Sequence, residues 1–296
     1  MKQGDYVVRR SYGGDVLFRI ESFRQHSAIL KGIDYRLLAD APFGDLDVVD
    51  NPEQTGASQE VKIKVNETMR RFQQQTARLE EQRSMHYGPR PGMPKGSGPY
   101  FEVPGKVLHL DGDGSYLRKS MQLYNHMRVP AQGLHAHESQ MPALLQQLLP
   151  RLQPDIIVIT GHDGLLKNRP EPNIQQLSSY KNSQNFVNAV QVARNYDRNR
   201  DSLIIIAGAC QSHFEALLQA GANFASSPDR ILIHALDPVY IAVKASQTPI
   251  RETISLNDAI YGTISGAAGV GGIETTGTYR VGMPRPKQAQ AIAQGR

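Results

Sequence analysis

The chain has 296 residues, enough for one large domain or two smaller ones, and its 33 basic and 28 acidic residues give a net charge of +5. This charge permits contact with anionic surfaces but does not indicate a nucleic-acid-binding protein. The single cysteine excludes an internal disulfide framework and a zinc site built from several thiolates. No stretch resembles a signal peptide or approaches the roughly 18 apolar residues of a membrane span. We therefore expect a cytoplasmic protein that binds neither nucleic acid nor membrane.

Residues 1–52 are predicted to form a small β-barrel of the SH3-like kind. Short β-like runs such as GDYVVRR and DVLFRIESF are separated by glycines, including the pair Gly13-Gly14. A unit of this size is too small to enclose an active site of its own. We interpret it as a packing or docking module.

Residues 53–99 are predicted to be a charged connection. The pattern is helical from Glu60 to Met85 and then changes to YGPRPGMPKGSGPY, whose prolines and glycines sustain neither helix nor strand. The arginines of this connection are Arg70, Arg71, Arg78, Arg83 and Arg90. One interpretation is a solvated linker. The other is an exposed segment in which the protein cleaves itself between residues 70 and 95, a hypothesis that mass spectrometry of the active protein tests.

Residues 100–285 alternate between apolar strands and amphipathic helices, which predicts an α/β domain. The strand candidates are KVLHLDG, VPAQGLHA, DIIVITG, SLIIIAG and RILIHAL. The helix candidates between and after them include SYLRKSMQLYNHMR, ESQMPALLQQLL, SQNFVNAVQVARNY, QSHFEALLQAG and DPVYIAVKAS. This alternation predicts a mostly parallel sheet with helices on both faces. Residues 286–296 are predicted to be a flexible tail.

Reactive side chains follow three of these predicted strands. Asp111 and Asp113 come after the first strand, His162 after the third and Cys210 after the fourth. In the common strand order 2-1-3-4-5 these three strands are neighbours, and ligands of such sheets bind beyond the carboxyl ends of the strands. We therefore expect all four side chains to face one crevice.

Cys210 and His162 are placed where a thiol hydrolase would need them. A free thiol is only slightly ionised at neutral pH, and a nearby imidazole can take its proton and later protonate the departing amine. The backbone N–H groups of Asp163, Gly164 and Cys210 are candidates for stabilising an oxyanion, together with the N-terminus of the predicted helix QSHFEALLQAG. This chemistry requires no cofactor, and we expect none.

Structural interpretations compete with this one. A lone cysteine is often a small buried hydrophobic residue, and a lone histidine at a strand end is more often structural. The joint pattern favours catalysis, because the cysteine follows the histidine by 48 residues, close to the spacing of about 50 in caspases. His213 and His234 are alternative partners for the thiol. His135 and His137 are a weak indication of a metal site, and we expect no metal.

An apolar strand that ends in His-Gly, followed by one that ends in Ala-Cys, resembles the peptidase group of caspases, legumains, gingipains and clostripain. Almost the full length of the chain is similar to the YabG family of sporulation-specific cysteine peptidases. The matching segments are GDYVVRRSYGGDVLFRI, LKGIDYRLLADAP, VLHLDGDGSYL, ITGHDG, GACQSHFEALL and RILIHALDPVYIA. The resemblance implies a caspase–haemoglobinase-like fold, with His162 as general acid/base and Cys210 as nucleophile. The wider group has glycine directly after the histidine, whereas here Asp163 stands before Gly164.

The resemblance also implies a role in the cell. It points to a protease made in the mother cell during sporulation, associated with the spore coat, that trims spore coat and spore-assembly proteins after basic residues. Such a preference requires a carboxylate at the base of the primary pocket (S1), for which Asp111 and Asp113 are the candidates. A plain acidic turn is the alternative for both residues.

Two other functions fit parts of the pattern. One is an amidotransferase-like thiol hydrolase on a similar sheet, and the other is a coat scaffold protein without catalytic activity. The sequence leaves the oligomeric state open.

Overall fold

A computed structural model describes residues 1–54, 56–87, 100–166 and 173–283. The region around Arg90 in the predicted linker and the predicted tail 286–296 lie outside these ranges. No helix within the described ranges is both long and apolar enough to cross a membrane.

Five short strands near the N-terminus form one antiparallel sheet. They are β1 (Tyr6–Arg9), β2 (Phe18–Phe23), β3 (Ser27–Gly32), β4 (Leu38–Pro42) and β5 (Leu46–Val48), in the spatial order β4-β3-β2-β1-β5. Alternate residues of β3 are buried, because successive side chains of a strand point to opposite faces. The inward side chains, among them Val7, Phe18 and Leu30, form a small apolar core. The sheet agrees with the β-runs predicted here, and its description as an SH3-like barrel stays a prediction.

A long helix, α1 (Gly56–Tyr87), follows this sheet and covers the segment predicted to be helical. The ring of Phe72 stacks on that of Tyr240, with centroids 5.4 Å apart. Thr76 Oγ1 donates a hydrogen bond of 3.2 Å to Gln247 Oε1. These contacts pack one side of the charged helix against the α/β part of the chain.

The remaining described residues form an α/β unit. Its strands are β6 (Phe101–Val103), β7 (Val107–Asp111), β8 (Ala131–His135), β9 (Ile156–Thr160), β10 (Ile204–Ala207), β11 (Phe224–Ser226), β12 (Thr253–Ile254), β13 (Val270–Gly272), β14 (Thr275–Thr276) and β15 (Arg280–Gly282). Its helices are α2 (Gly114–His126), α3 (Met141–Leu152), α4 (Ser183–Tyr196), α5 (Phe214–Ala220), α6 (Asp237–Gln247), α7 (Leu256–Tyr261) and α8 (Gly266–Gly269). The main sheet has the order β13-β11-β10-β9-β7-β8, and two small pairs, β12 with β14 and β6 with β15, lie apart from it.

Every neighbouring pair in the main sheet is parallel except β11 with β13. Both faces of the sheet are buried: β7, β9 and β10 contain no exposed residue. Leu123 of α2 and Val239 of α6 pack on one face, and Leu145 of α3 and Phe186 of α4 pack on the other. The predicted α/β class is confirmed, with a mostly parallel sheet between two helical layers.

Two elements near the strand ends differ from prediction. The prediction of a strand at RILIHAL is wrong, because the parallel strand that follows β10 is β11 (Phe224–Ser226), which ends before this segment. The positive φ angles of Ser227 (63°) and Arg230 (57°) then turn the chain out of the sheet. Helix α5 has seven residues and begins at Phe214, with His213 as its N-cap. The predicted oxyanion role of this helix required its N-terminus to follow Cys210 directly, and in the structure it does not.

Candidate active site

Asp113, His162 and Cys210 follow three neighbouring parallel strands, β7, β9 and β10. The registers of these strands place the three residues at corresponding positions beyond the paired segments. The 48 residues between His162 and Cys210 equal the register offset between β9 and β10. Because adjacent strands are about 4.8 Å apart, the ends of the strands that precede Asp113, His162 and Cys210 lie side by side in that order.

His162 is held at its backbone and on one side of its ring. Its N–H donates to Glu138 Oε1 at 2.8 Å, and its carbonyl accepts from Asn182 Nδ2 at 2.8 Å. The ring nitrogen Nε2 lies 3.0 Å from Asp113 Oδ2. An ionised carboxylate only accepts hydrogen bonds, so Nε2 carries the proton, and Nδ1 of the neutral ring is an acceptor. Nδ1 is buried and has no hydrogen-bond partner among the described residues.

Glu138 is a buried carboxylate beneath the histidine loop, and the sequence analysis missed it. Its side chain is close enough to the strand ends that a Cβ at Gly161 would lie 2.4 Å from Oε1, and a Cβ at Gly112 only 2.2 Å. Glycine at both positions therefore lets the strand ends close around this carboxylate. The available signal was an acidic residue three positions after a strand end, in LHAHES.

Asp113 combines three roles. It is the N-cap of α2, where Oδ1 accepts from Ser115 N at 2.8 Å. Its Oδ2 contacts His162 and also lies 2.6 Å from Lys31 Nζ, which comes from β3 of the N-terminal sheet. Burial opposes ionisation of Asp113, but the hydrogen bonds from His162, Lys31 and Ser115 outweigh it and hold the pKa of this carboxyl well below its usual range. Asp113 is thus a stable anion beside the imidazole.

Cys210 is only 1% exposed and lies in a tight turn after β10. The turn uses positive φ angles at Gly208 (112°) and Gln211 (56°). Ile233 N donates to Cys210 Sγ at 3.2 Å. Burial raises the pKa of the thiol to about 12, against the opposing effect of this N–H group. The thiol is therefore protonated in this arrangement, and in the described part of the chain no hydrogen bond joins its sulfur to His162.

Asp163 connects the histidine loop to the cysteine loop. Its Oδ1 accepts from Gly164 N at 2.9 Å and from Asn182 N at 2.8 Å. Its Oδ2 accepts from Ser212 Oγ at 3.0 Å and also from Ser183 Oγ. These contacts give a structural reason for aspartate directly after the histidine. The backbone N–H of Gly164 is already engaged, and the oxyanion roles of Asp163, Gly164 and Cys210 stay predictions.

Asp111, the other candidate S1 carboxylate, is fully buried and paired with an arginine of the N-terminal sheet region. Arg36 Nη1 lies 2.9 Å from Asp111 Oδ2, and both side chains are 0% exposed. Burial disfavours the ionised form of Asp111, but the positive charge of Arg36 is the main effect that favours it, and the pKa of Asp111 is lowered overall. Sequence reasoning missed Arg36 and Lys31, because they lie 75 and 82 residues before their partners and no local motif marks them.

The two alternative histidines lie in other surroundings. His213 caps α5 through Nδ1, and its Nε2 lies 3.0 Å from Gln175 O. His234 is 4% exposed, and its Nδ1 accepts from Leu236 N at 3.2 Å. Neither ring has a hydrogen bond to Cys210 within the described ranges.

His234 is expected to make the protein acid-sensitive. Burial lowers its pKa to about 3, and the charges of Lys119 and Arg36 add to this effect. The folded protein keeps the ring neutral while the unfolded chain binds a proton below its ordinary pKa, so stability is lost as the pH falls from about 6.5 towards 3. Between pH values of about 7.5 and 5, this group should remove about 2 kcal/mol from the free energy of unfolding.

The measurement is urea unfolding of wild type and His234→Gln at both pH values. Glutamine keeps a side-chain acceptor for Leu236 N and does not titrate. On acidification, we expect the free energy of unfolding to fall by about 2 kcal/mol more in wild type than in the variant. Equal losses in the two proteins would contradict the assignment of a neutral buried His234.

Among the residues that the structure describes, no group of three or more His, Cys, Asp or Glu side chains is arranged to hold a metal ion. The family model described as YabG peptidase U57 matches residues 2–284. A Bacillus subtilis (strain 168) protein named Sporulation-specific protease YabG is 45% identical over 296 residues, which cover 95% of this chain and 97% of that protein. No solved structure matches the chain. The chain therefore belongs to the YabG peptidase U57 family and is, by that membership, a sporulation protease.

Proposed function

We propose that the protein is a cysteine endopeptidase with Cys210 as nucleophile and His162 as general acid/base. The observation that carries this proposal is the row of Asp113, His162 and Cys210 on three adjacent strands. The buried and unpartnered Nδ1 of His162 adds to it. A buried polar atom without a partner is costly in a structural histidine, but a general base requires one. A caspase-like classification of the fold is part of the same proposal.

Each residue of the row has a distinct role in the proposed reaction. Asp113 accepts a hydrogen bond from Nε2–H of His162, which fixes the tautomer and leaves the Nδ1 lone pair free. Nδ1 takes the proton of the Cys210 thiol as the sulfur attacks the scissile carbonyl carbon. The carbonyl electrons move to oxygen, where the backbone N–H groups of Cys210 and Asp163 are the proposed donors.

The remaining steps use the same groups. When the oxyanion collapses, the carbon–nitrogen bond breaks, and His162 gives its Nδ1 proton to the departing amine. Water then attacks the thioester and transfers one proton to His162, which returns it to the leaving sulfur of Cys210. The products are a carboxylic acid, an amine and the restored thiol, so the cycle consumes only water.

For specificity, we assign the S1 carboxylate to Asp111 rather than to Asp113. Asp113 is already engaged by the ring of His162 and by Lys31. Asp111 has a guanidinium within ion-pair distance in this structure, at 2.9 Å. A fully buried carboxylate is well suited to a planar, permanently charged guanidinium. We therefore propose cleavage after Arg, and after Lys with lower efficiency.

The biological substrates are proposed from the family. The name of the Bacillus subtilis relative ties it to sporulation. We propose that this protein acts in the mother cell, in association with the spore coat, on spore coat and spore-assembly proteins. In this setting the N-terminal sheet, which we propose to be SH3-like, and the helix α1 would contact coat components.

The test of this function compares wild type, His162→Ala and His234→Ala on peptides that end in Arg, Lys, Gln or Asp before a reporter group. We expect wild type to cleave after Arg and Lys, and His162→Ala to be slower by at least about 10²-fold, because it loses the general acid and base. His234→Ala should retain activity if it is folded. Activity that survives in His162→Ala but is lost in His234→Ala would favour an amidotransferase-like enzyme. No turnover of any peptide or of coat extract would favour the scaffold protein.

A further inference from the structure

The segment 34–36, between β3 and β4 of the N-terminal sheet, lies antiparallel to residues 233–235 and pairs with them through an isolated β-bridge. Arg36 N donates to Ile233 O at 3.2 Å, and Ala235 N donates to Asp34 O at 2.7 Å. Tyr35 and His234 form the bridge between these two bonds. Extended peptides are commonly bound in this way, by backbone pairing with a strand of the receptor.

The side chain of Arg36 enters the proposed S1 site. Its Nη1 contacts both oxygens of Asp111, at 3.0 Å to Oδ1 and 2.9 Å to Oδ2. Its Nε and Nη2 donate to Ala235 O at 3.2 and 3.0 Å. The guanidinium is thus bound by a carboxylate and a carbonyl, with no part of the side chain exposed. These are the contacts that an arginine of a substrate would need at this position.

The same segment pairs with the residue that contacts the thiol. The segment 233–235 provides Ile233 N, which lies 3.2 Å from Cys210 Sγ. Arg36 N donates to Ile233 O at 3.2 Å, so the backbone of Arg36 is paired with the residue whose N–H contacts this sulfur. An arginine side chain in the S1 site and its own backbone at the nucleophile are what a bound substrate would present.

Further contacts fix this segment in place. Tyr116 OH is 2.7 Å from Gly32 O and 2.6 Å from Tyr35 O, and Lys119 Nζ donates to Ile33 O at 2.7 Å. Docking of the module does not by itself require an arginine, because apolar residues of similar volume are often as stabilising as a buried ion pair. A buried arginine on the S1 carboxylate therefore suggests a role in occupying that site.

We infer that residues 34–36 are an internal pseudosubstrate, which occupies the S1 site and pairs with the segment 233–235 of the proposed peptidase until the N-terminal module is displaced. This inference rests on the proposed function. It assigns residues 233–235 as the segment that pairs with substrate. It also makes any event that separates the module from the α/β unit an activating event.

The experiment compares the full-length wild type with Arg36→Gln and with the control Arg10→Ala. Glutamine retains hydrogen-bond donors but not the positive charge. Arg10 pairs with Asp47 within the N-terminal sheet region and is 61% exposed, so its loss should leave the contacts of Arg36 and Cys210 unchanged. Two rates are measured. The first is alkylation of the single cysteine by iodoacetamide, monitored by mass spectrometry of the intact protein. The second is hydrolysis of a peptide that ends in Arg before a reporter group.

We expect both rates to rise at least about tenfold in Arg36→Gln. A site that is open only a small fraction of the time binds substrate more weakly in proportion to that fraction, and the variant should raise the fraction. Arg10→Ala should match wild type. As a measurement that needs no variant, the peptide Ile-Asp-Tyr-Arg, copied from residues 33–36, should inhibit wild-type hydrolysis competitively. The peptide with Gln in place of Arg should not inhibit.

The possible failures are distinguishable. Unchanged alkylation and hydrolysis in a folded Arg36→Gln, with an active wild type and no competition by the peptide, would overturn the pseudosubstrate and leave the peptidase standing. Faster alkylation in Arg36→Gln without hydrolysis of any peptide by either protein would show that Arg36 covers the thiol. That result would overturn the proposed function.

Discussion

Replacing Cys210 by alanine is expected to lower kcat for peptides cleaved after Arg by on the order of 10⁶-fold, the loss typical of a protease without its nucleophile. The protein has no second cysteine to take over. His162 and Asp113 would remain, but without a sulfur they can only activate water, which is a far weaker route. The measurement is single-substrate kinetics with the Arg and Lys reporter peptides.

Folding of the variant must be checked, because Cys210 is buried and its sulfur accepts from Ile233 N. Leaving this donor without a partner costs about 1–3 kcal/mol, which a folded domain of this size tolerates. Circular dichroism that matches wild type, together with lost hydrolysis, would support the thiol mechanism. Turnover at the wild-type rate in the variant would make Cys210 a packing residue and remove the proposed mechanism.

The α/β architecture could be predicted from the sequence because it depends on local patterns. Apolar runs such as DIIVITG are long enough to identify buried strands, and the amphipathic segments between them identify the helices. The observed order β8-β7-β9-β10-β11 corresponds to the expected 2-1-3-4-5. The strands that precede His162 and Cys210 are therefore neighbours, as expected. The error at RILIHAL has a local cause too. Its apolar pattern is strand-like, but the positive φ angles at Ser227 and Arg230 redirect the chain.

The contacts that the sequence could not predict are those that cross from one part of the chain to another. Arg36 and Lys31 reach carboxylates 75 and 82 residues away, and nothing in their neighbourhood distinguishes them from surface residues. The sequence also could not separate Asp111 from Asp113. Both follow the same strand, and only the partners of each carboxylate differ. Glu138 was missed for the same reason, since its partner is the backbone of a loop 24 residues later.

These long-range contacts change the interpretation of the N-terminal sheet. It was expected to be a packing or docking module, yet it places Lys31 on the carboxylate next to His162 and Arg36 on the carboxylate proposed for substrate. Both basic side chains contact carboxylates of the candidate site, and they are 16% and 0% exposed. The sheet is therefore part of the environment of the candidate active site, and its position determines the charge of that environment.

Replacing Asp111 by alanine should lower the free energy of unfolding by about 3–5 kcal/mol, because it leaves the buried guanidinium of Arg36 without a counter-charge. The hydrogen bonds from Arg36 to Ala235 O remain, but a carbonyl does not neutralise a charge in a site closed to water. Urea unfolding monitored by circular dichroism provides the measurement, since the chain has no tryptophan. The matched control is Asp47→Ala, which breaks the exposed pair with Arg10 and should have little effect.

The double variant Asp111→Leu with Arg36→Met decides what the ion pair does. Replacing both partners of a buried pair by apolar residues of similar volume is often neutral for stability, so the double variant should recover most of the loss. It should nevertheless lack activity towards Arg peptides, because the proposed S1 carboxylate is gone. Recovered stability with lost activity would mean that the charges serve recognition rather than folding. If the single Asp111→Ala variant is as stable as wild type, the guanidinium must have left the buried site, and the pairing described here would not be the one that holds in solution.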